Sequence, residues 1–181
     1  MEKIYTEMAG LSLEKARIDD LANIQELLVQ AGKWLQEKGL EQWDYYVHDI
    51  DGNTADVIES IERGSTYLLK DGLVNAGTIT VETSPGEWDR GVWEEEASGA
   101  DAAYVHRLVV NRFYAGRGIG EKLLNWAEDH AEQQGKTRLR LDCLASNESL
   151  NAYYKRIFPF KGVSPYFGGH SKYEKRIGKP V

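Results

Sequence analysis

The chain of 181 residues is poor in cysteine, which limits both its cross-linking and its compartment. Its one cysteine, Cys143, excludes an internal disulfide framework and favours a reducing compartment. Cys143 lies in a run that alternates like a strand, where a cysteine is typically a small buried hydrophobic residue. We therefore expect a cytoplasmic protein without structural disulfides.

Long apolar runs and an excess of basic residues are also missing. No stretch reaches the roughly 18 apolar residues of a membrane-spanning helix, and residues 1–10 lack the apolar core of a signal peptide. The net charge is −7 and the Lys and Arg residues are scattered, which argues against a nucleic-acid surface. Acidity is mildly favourable for a cationic substrate such as an amine, although it more often serves solubility. We expect neither a membrane nor a nucleic acid as a partner.

The composition that remains is typical of a soluble globular protein, with 41% apolar and 28% charged residues. The length suits one domain over 1–181, without repeats, linkers or low-complexity tracts. Apolar spacing predicts, in chain order, a strand at 11–18, a helix from 19–20 to about 38, a helix from 53–54 to 64, a hairpin of strands at 65–70 and 73–83, a strand at 104–110, a helix at 119–131, a strand at 137–144, a helix from 146–147 to 157, and strands at 160–163 and 168–177. This order favours an α+β fold with a mixed, mainly antiparallel sheet flanked by helices.

Two segments and one glycine leave alternatives open. The aromatic-rich connection at 40–47, which contains Trp43, either lines a binding cleft or caps the core. Residues 84–101 have no clean period and predict a long loop, either a solvated acidic loop or a lid over an acceptor site. Gly77, inside a predicted strand, suggests a bulge or a close approach of another backbone. Trp34, Trp43 and Glu82 are the candidate substrate-binding residues.

A glycine-rich loop between the strand at 104–110 and the following helix is the strongest functional signal. Gly116, Gly118 and Gly120 bring a backbone without side chains to a helix N-terminus, where unpaired N–H groups and the helix dipole favour an anion. Arg117 adds a positive charge. The residues after Gly120 exclude a Walker loop, and the glycine spacing excludes a dinucleotide fingerprint. The alternative is a tight turn that needs glycine and binds no ligand.

The loop and its flanks resemble the GNAT superfamily of acetyl-CoA-dependent acyltransferases, whose signature is [RQ]-x-x-G-x-[GA]. Gly118, Ile119 and Gly120 match the end of this signature, whereas Ala115 stands where Arg or Gln is usual. The resemblance implies a GNAT fold with splayed central strands and acetyl-CoA as the co-substrate, without a metal. It places the acetyl-CoA contacts at Ala115, Gly116, Arg117, Gly118, Ile119 and Gly120, at the main chain of Leu108, Val109 and Val110, and at Asn147.

Acetyl transfer to an amine also needs a base and a proton donor. His106 has a suitable reference pKa near 6.5, and its place resembles that of the histidine that deprotonates the amine in the arylalkylamine branch of the family. The alternatives are a purely structural histidine, or Glu82 acting as the base through water. Asn147 and Tyr154 are seven residues apart on a predicted helix and so share a face. The family pattern gives Tyr154 the role of protonating the departing thiolate.

The sequence therefore predicts an N-acetyltransferase that moves an acetyl group directly from acetyl-CoA to a primary amine of a small molecule or peptide. A non-catalytic acyl-CoA-binding module of the same fold is the alternative, and Ala115 is its best support. A nucleotide-binding protein of another class is a weaker third. The acceptor's identity and the oligomeric state, including a homodimer, stay open.

Overall fold

The computed structural model describes residues 3–4, 10–99 and 101–178. The described residues cluster into two compact units. Unit one comprises those up to Thr80 together with Arg107–Trp126, and unit two comprises Val81–His106 together with those from Ala127 onward. The prediction of one domain over 1–181 stays a prediction.

Unit one is built on antiparallel strands in the order β1-β2-β3-β4. Its elements are β1 (Lys3–Ile4), β2 (Ser12–Lys15), α1 (Leu21–Glu37), α2 (Asp44–His48), α3 (Ala55–Glu62), β3 (Thr66–Asp71), most of β4 (Val74–Glu82), the end of β5 (Ala102–Val110) and the start of α5 (Ile119–Gln133). The apolar faces of α1 and α3 pack on β3 and β5, with Leu28, Val57, Leu68 and Val109 all buried in one cluster. This burial explains why the helical spacing of apolar residues predicted these elements well.

Unit two contains the parallel pair β5–β6 and the antiparallel pairs β6–β8 and β7–β8. Its further elements are α4 (Glu87–Trp93), β6 (Arg138–Leu144), α6 (Glu148–Lys155), β7 (Phe160–Ser164) and β8 (His170–Arg176). The described β5–β6 ladder ends at Tyr104↔Arg140, whereas β6 follows β8 as far as Leu144. β5 and β6 therefore pair over a short stretch only, as expected for central strands that splay apart. The predicted mainly antiparallel α+β fold is confirmed.

The prediction of a long loop at 84–101 was wrong. Glu87–Trp93 form α4, and Glu94–Ala97 continue as a 3-10 turn. Val92 and Trp93 are buried with Tyr104, so this segment contributes to the core of unit two. The helical spacing of apolar residues in α4 was not recognisable in the sequence, because buried Asp89 occupies part of the inward face where an apolar residue is expected. The three glutamates of the turn are solvent-exposed, as the acidic-loop interpretation expected.

The aromatic connection at 40–47 contains a helix that the sequence did not predict, α2. Tyr46 is buried, and partly buried Trp43 packs against the core of unit one beside it, so both rings contribute to that core. The first strand is also shorter than predicted, because Ile18 begins a 3-10 turn after β2. Asp20 stands at the N-cap of α1, but among the described residues its carboxylate binds the Arg17 N–H and Lys70 instead of a helix amide.

Gly77 combines the two alternatives that the sequence left open. The β3–β4 register shifts beside it, which places a bulge at Ala76, and the Ala76 carbonyl accepts the Asn111 N–H at 2.8 Å. A Cβ at Gly77 would also lie 2.7 Å from the carbonyl oxygen of Val109. The end of β5 therefore approaches β4 at a distance that only glycine permits.

We expect Gly77→Ala to destabilise the protein by about 1–3 kcal/mol, because a backbone carbonyl cannot move aside as a flexible side chain can. Urea unfolding measures this loss as a lower midpoint with an unchanged slope. Gly86→Ala is the matched control, since its Cβ would meet its nearest described atom at 3.8 Å. Equal midpoints for the two variants would contradict the close approach.

No helix among the described parts of the chain is long and apolar enough to cross a membrane.

Candidate active site

The turn after β5 is anchored to the β3–β4 hairpin within unit one. The Asn111 side chain donates to the Asn75 carbonyl at 2.9 Å and accepts the Phe113 N–H at 3.1 Å. Tyr114 is buried, and its hydroxyl donates to the Asp71 carboxylate at 2.7 Å. These bonds fix the path of the chain as it enters the glycine-rich loop.

The loop itself presents an exposed backbone that leads into a buried helix start. Gly116 and Gly118 have φ angles of +78° and +70°, a region that favours glycine. A Cβ built at either position would meet no described atom within 4 Å, so approach to this backbone is open. Ile119 is 4% exposed and anchors the first turn of α5, whose first helical bond runs from the Lys122 N–H to the Gly118 carbonyl.

The N–H groups of that first turn lack partners four residues earlier in the helix and carry the positive end of its dipole. Arg117 adds its charge beside them, with its guanidinium 4.9 Å from the centroid of the Tyr114 ring. Ala115 is exposed and supplies no charge where the family signature has Arg or Gln. This arrangement is chemically suited to a polyanion such as a pyrophosphate.

The end of β5 is less regular than strand alternation predicts. Arg107 has a φ of +48°, which interrupts the pleat, and its guanidinium donates to the Ser60 hydroxyl at 2.9 Å. Regular alternation along the strand predicts one common face for Tyr104, His106, Leu108 and Val110, but the left-handed residue at 107 interrupts that alternation, so this expectation is wrong. Of the three predicted donor-binding positions, the Val109 side chain is buried, whereas those of Leu108 and Val110 are partly exposed.

His106 lies in unit two beside two aspartates that the sequence did not single out. Its Nε2 is 3.1 Å from Asp89 Oδ1 and 3.2 Å from Oδ2, and its side chain is 20% exposed. Asp89 is 1% exposed, and its Oδ2 also accepts the Gly86 N–H at 3.0 Å. Ligand atoms of His106, Asp89 and Asp142 all lie within 4.8 Å of one another. The prediction that no metal is used stays a prediction.

Asp142 is held from the other side by an indole. Trp88 Nε1 donates to both of its carboxylate oxygens, each at 3.2 Å. Desolvation by burial raises the pKa of Asp142, against the opposing charges of His106 and His170. Asp89 and Asp142 thus both lie beside the imidazole of His106.

Tyr154 on α6 and Asn147 at the N-cap of α6 are both buried. The Tyr154 ring packs 5.6 Å from the Tyr173 ring, centroid to centroid, and burial raises the pKa of Tyr154. A phenol of this kind stays protonated through neutral pH and can donate a proton. Asn147 caps α6 by accepting the Leu150 N–H at 3.1 Å, which is a structural role, and its contact with the donor stays a prediction.

The three candidate acceptor-binding residues are placed differently. Trp34 is partly buried on α1, with the Arg112 guanidinium 4.1 Å from its ring centroid. Trp43 lies against the core of unit one, and Glu82 ends β4 in unit two with partial exposure. Cys143 is buried as predicted, and burial raises its pKa to about 12.

Sequence reasoning missed Asp89 and Asp142. Asp89 lies in the segment taken as a loop, and Asp142 occupies an ordinary polar position of an alternating strand. No spacing connects either residue to His106, since the tertiary fold brings them together. The available signal was the sequence Gly-Glu-Trp-Asp, in which Asp89 is the third residue of the helix, and this signal is weak.

Comparisons with known proteins identify a family for this sequence. The family model described as the acetyltransferase (GNAT) family matches residues 28–160. An uncharacterized N-acetyltransferase of Bacillus subtilis (strain 168), YesJ, is 34% identical over 165 residues, covering 88% of this chain and 86% of that protein.

Two solved structures share the fold. A GNAT-family acetyltransferase from Listeria monocytogenes 4b F2365 is 29% identical, with a TM-score of 0.78 over 97% of this chain and 100% of that one. The PaiA N-acetyltransferase from Thermoplasma acidophilum, solved with coenzyme A, is 21% identical, with a TM-score of 0.71 over 92% and 98% of the two chains. The family match and the YesJ relative show that the chain belongs to the acetyltransferase (GNAT) family.

Proposed function

We propose that this protein is a cytoplasmic N-acetyltransferase that moves an acetyl group directly from acetyl-CoA to a primary amine of a small molecule or peptide. The observation that carries the proposal is the exposed glycine backbone at Gly116 and Gly118, which leads into the start of a fifteen-residue helix. A pyrophosphate is the part of acetyl-CoA that such a backbone binds. The coenzyme A complex of the Thermoplasma protein supports the same donor for this fold.

In this proposal the loop residues 115–120 hold the pyrophosphate, and Arg117 supplies the charge that Ala115 lacks. Main-chain groups at 108–110 bind the thioester carbonyl and the pantetheine arm, which Asn147 also contacts. Trp34, Trp43 and Glu82 contribute to binding of the acceptor. Holding the thioester in one orientation makes attack by the amine effectively intramolecular.

In the proposed reaction, each proton that moves has a named donor and a named acceptor. His106 takes a proton from the ammonium form of the acceptor, and the resulting amine attacks the thioester carbonyl carbon. The C–N bond forms, the C–S bond breaks, and Tyr154 gives its proton to the departing thiolate. The attacking nitrogen loses its second proton to the Tyr154 oxygen, which restores the hydroxyl, and His106 releases its proton to solvent. The products are the N-acetylated acceptor and coenzyme A, and no metal is required.

A panel of primary amines tests the proposal. We expect at least one aryl- or alkylamine, amino acid, polyamine or peptide to increase the release of coenzyme A thiol from acetyl-CoA, with acetylated amine found by mass spectrometry. If calorimetry shows tight binding of acetyl-CoA but no amine of the panel is acetylated, the result would favour the non-catalytic acyl-CoA-binding module instead. Preference for ATP or NAD over coenzyme A would contradict both.

A further inference from the structure

Asp89, His106 and Asp142 bring three metal-ligating side chains together inside unit two. One ligand atom of each lies within 4.8 Å of the other two. A tetrahedral zinc ion, bound to nitrogen and oxygen at about 2.0–2.2 Å, holds its ligand atoms about 3.3 Å apart. The 3.1 Å between His106 Nε2 and Asp89 Oδ1 is already close to that spacing. The Asp142 oxygen needs to approach by at most about 1.5 Å, which is within reach of a side-chain rotation.

The buried carboxylate of Asp89 is the observation that points to a ligand. Asp89 is 1% exposed, and its Oδ1 accepts no hydrogen bond among the described residues, although it faces the imidazole of His106 at 3.1 Å. A buried carboxylate oxygen without a hydrogen bond is costly. A metal ion bound to Oδ1 would offset this cost, because it would use the lone pairs that lack a donor.

The charge of the cluster also favours a cation. Asp89 makes its ion pair with His106, and Asp142 accepts the neutral N–H of the Trp88 indole. No lysine or arginine of the described chain pairs with either carboxylate. Two carboxylates this close together disfavour each other's charge. A single divalent cation would neutralise both of them.

The contacts that orient metal ligands from outside are in place. The Gly86 N–H donates to Asp89 Oδ2 at 3.0 Å, and Trp88 Nε1 donates to both oxygens of Asp142 at 3.2 Å. Such bonds hold a carboxylate in position and leave it lone pairs for a metal. The His106 side chain is 20% exposed, which gives a cation a path from solvent.

We propose that Asp89, His106 and Asp142 bind one Zn²⁺ ion. One imidazole and two carboxylates are a zinc ligand set that leaves the fourth position open, whereas Mg²⁺ and Ca²⁺ take more ligands and prefer oxygen. This site goes beyond the proposed function, which requires no metal.

The proposed site has a consequence for acetyl transfer, and this consequence rests on the proposed function. A neutral imidazole that binds a metal through one nitrogen has its proton on the other nitrogen. It therefore has no lone pair left to take a proton from the acceptor. Zn²⁺ bound at His106 should inhibit the transfer, and a chelator should restore it.

Calorimetric titration of the full-length protein, without a histidine tag, with Zn²⁺ tests the site without any assay of activity. We expect one Zn²⁺ per chain. His106→Gln and Asp142→Asn should each weaken this binding at least about 10-fold, because each removes a ligand. His48→Gln is the matched control: it removes an exposed imidazole in unit one and should leave the affinity unchanged.

Co²⁺ provides a second measurement on the wild-type protein, which is needed if a ligand variant fails to fold. We expect the visible absorption of Co²⁺ with few ligands, and its loss when Zn²⁺ displaces the Co²⁺. Absence of stoichiometric Zn²⁺ binding would overturn the proposal, as would binding that both ligand variants retain or that His48→Gln abolishes.

The two proposals fail in different ways. Lack of acetyl transfer in the presence of a chelator would contradict the proposed function and leave the Zn²⁺ site standing. Zn²⁺ that binds as expected but does not inhibit transfer would contradict the role of His106 as the base.

Discussion

Tyr154→Phe is expected to lower kcat about 100-fold while the dissociation constant for coenzyme A stays within about twofold. The hydroxyl is the group that would protonate the departing thiolate, and burial raises the pKa of Tyr154, so the proton is present throughout the neutral range. The phenyl ring keeps the contact with Tyr173, so little else should change. Steady-state kinetics with an accepted amine and calorimetry with coenzyme A measure the two quantities.

Tyr173→Phe is the control for Tyr154→Phe, because both variants delete a hydroxyl from a buried ring in unit two. The Tyr173 hydroxyl donates to Asn151 Oδ1 at 2.7 Å, so its loss should cost about 1 kcal/mol of stability. We expect its kcat to match that of the wild type at a temperature where both variants are folded. Equal kcat values for Tyr154→Phe and the wild type would remove Tyr154 from the reaction.

Gly118→Val is expected to weaken coenzyme A binding by at least about 10-fold, or about 1.4 kcal/mol. The φ angle of +70° disfavours a β-branched residue, and the new side chain would extend from an exposed backbone that a pyrophosphate would approach. Calorimetric titration with coenzyme A measures the change.

Gly135→Val separates strain from ligand contact in that experiment. Gly135 follows the C-terminus of α5, has a φ angle of +77°, and also has no described atom within 4 Å of a built Cβ. Both substitutions should cost roughly 1–2 kcal/mol of folding stability, but Gly135→Val should bind coenzyme A as the wild type does. If the two variants bind it equally well, the loop at Gly118 does not contact the donor.

The sequence predicted those elements whose apolar residues follow one clear period. α1, α3, α5 and α6 bury their apolar faces, and the strands around them alternate or run buried, so local pattern and tertiary environment agree. α4 was missed because its inward face includes the carboxylate of Asp89, which looks polar to a pattern search. α2 was missed because five residues are too few to show a helical period.

The candidate site, too, could be predicted from the sequence only where its chemistry is local. The glycine-rich loop could be predicted because its chemistry is local: a run of glycines before a helix specifies a backbone that an anion can approach. His106 was identified by its position on a strand, but its partner was not, because Asp89 is seventeen residues away and reaches the ring only through the fold. The irregular φ of Arg107 has no sequence signal, and it invalidated the simple alternation beyond His106.

A crystal structure of the protein with coenzyme A tests the central claim most directly. The account predicts pyrophosphate oxygens within hydrogen-bond distance of main-chain N–H groups between Gly116 and Gly120. Coenzyme A bound elsewhere, with the loop backbone making no contact to its phosphates, would contradict it.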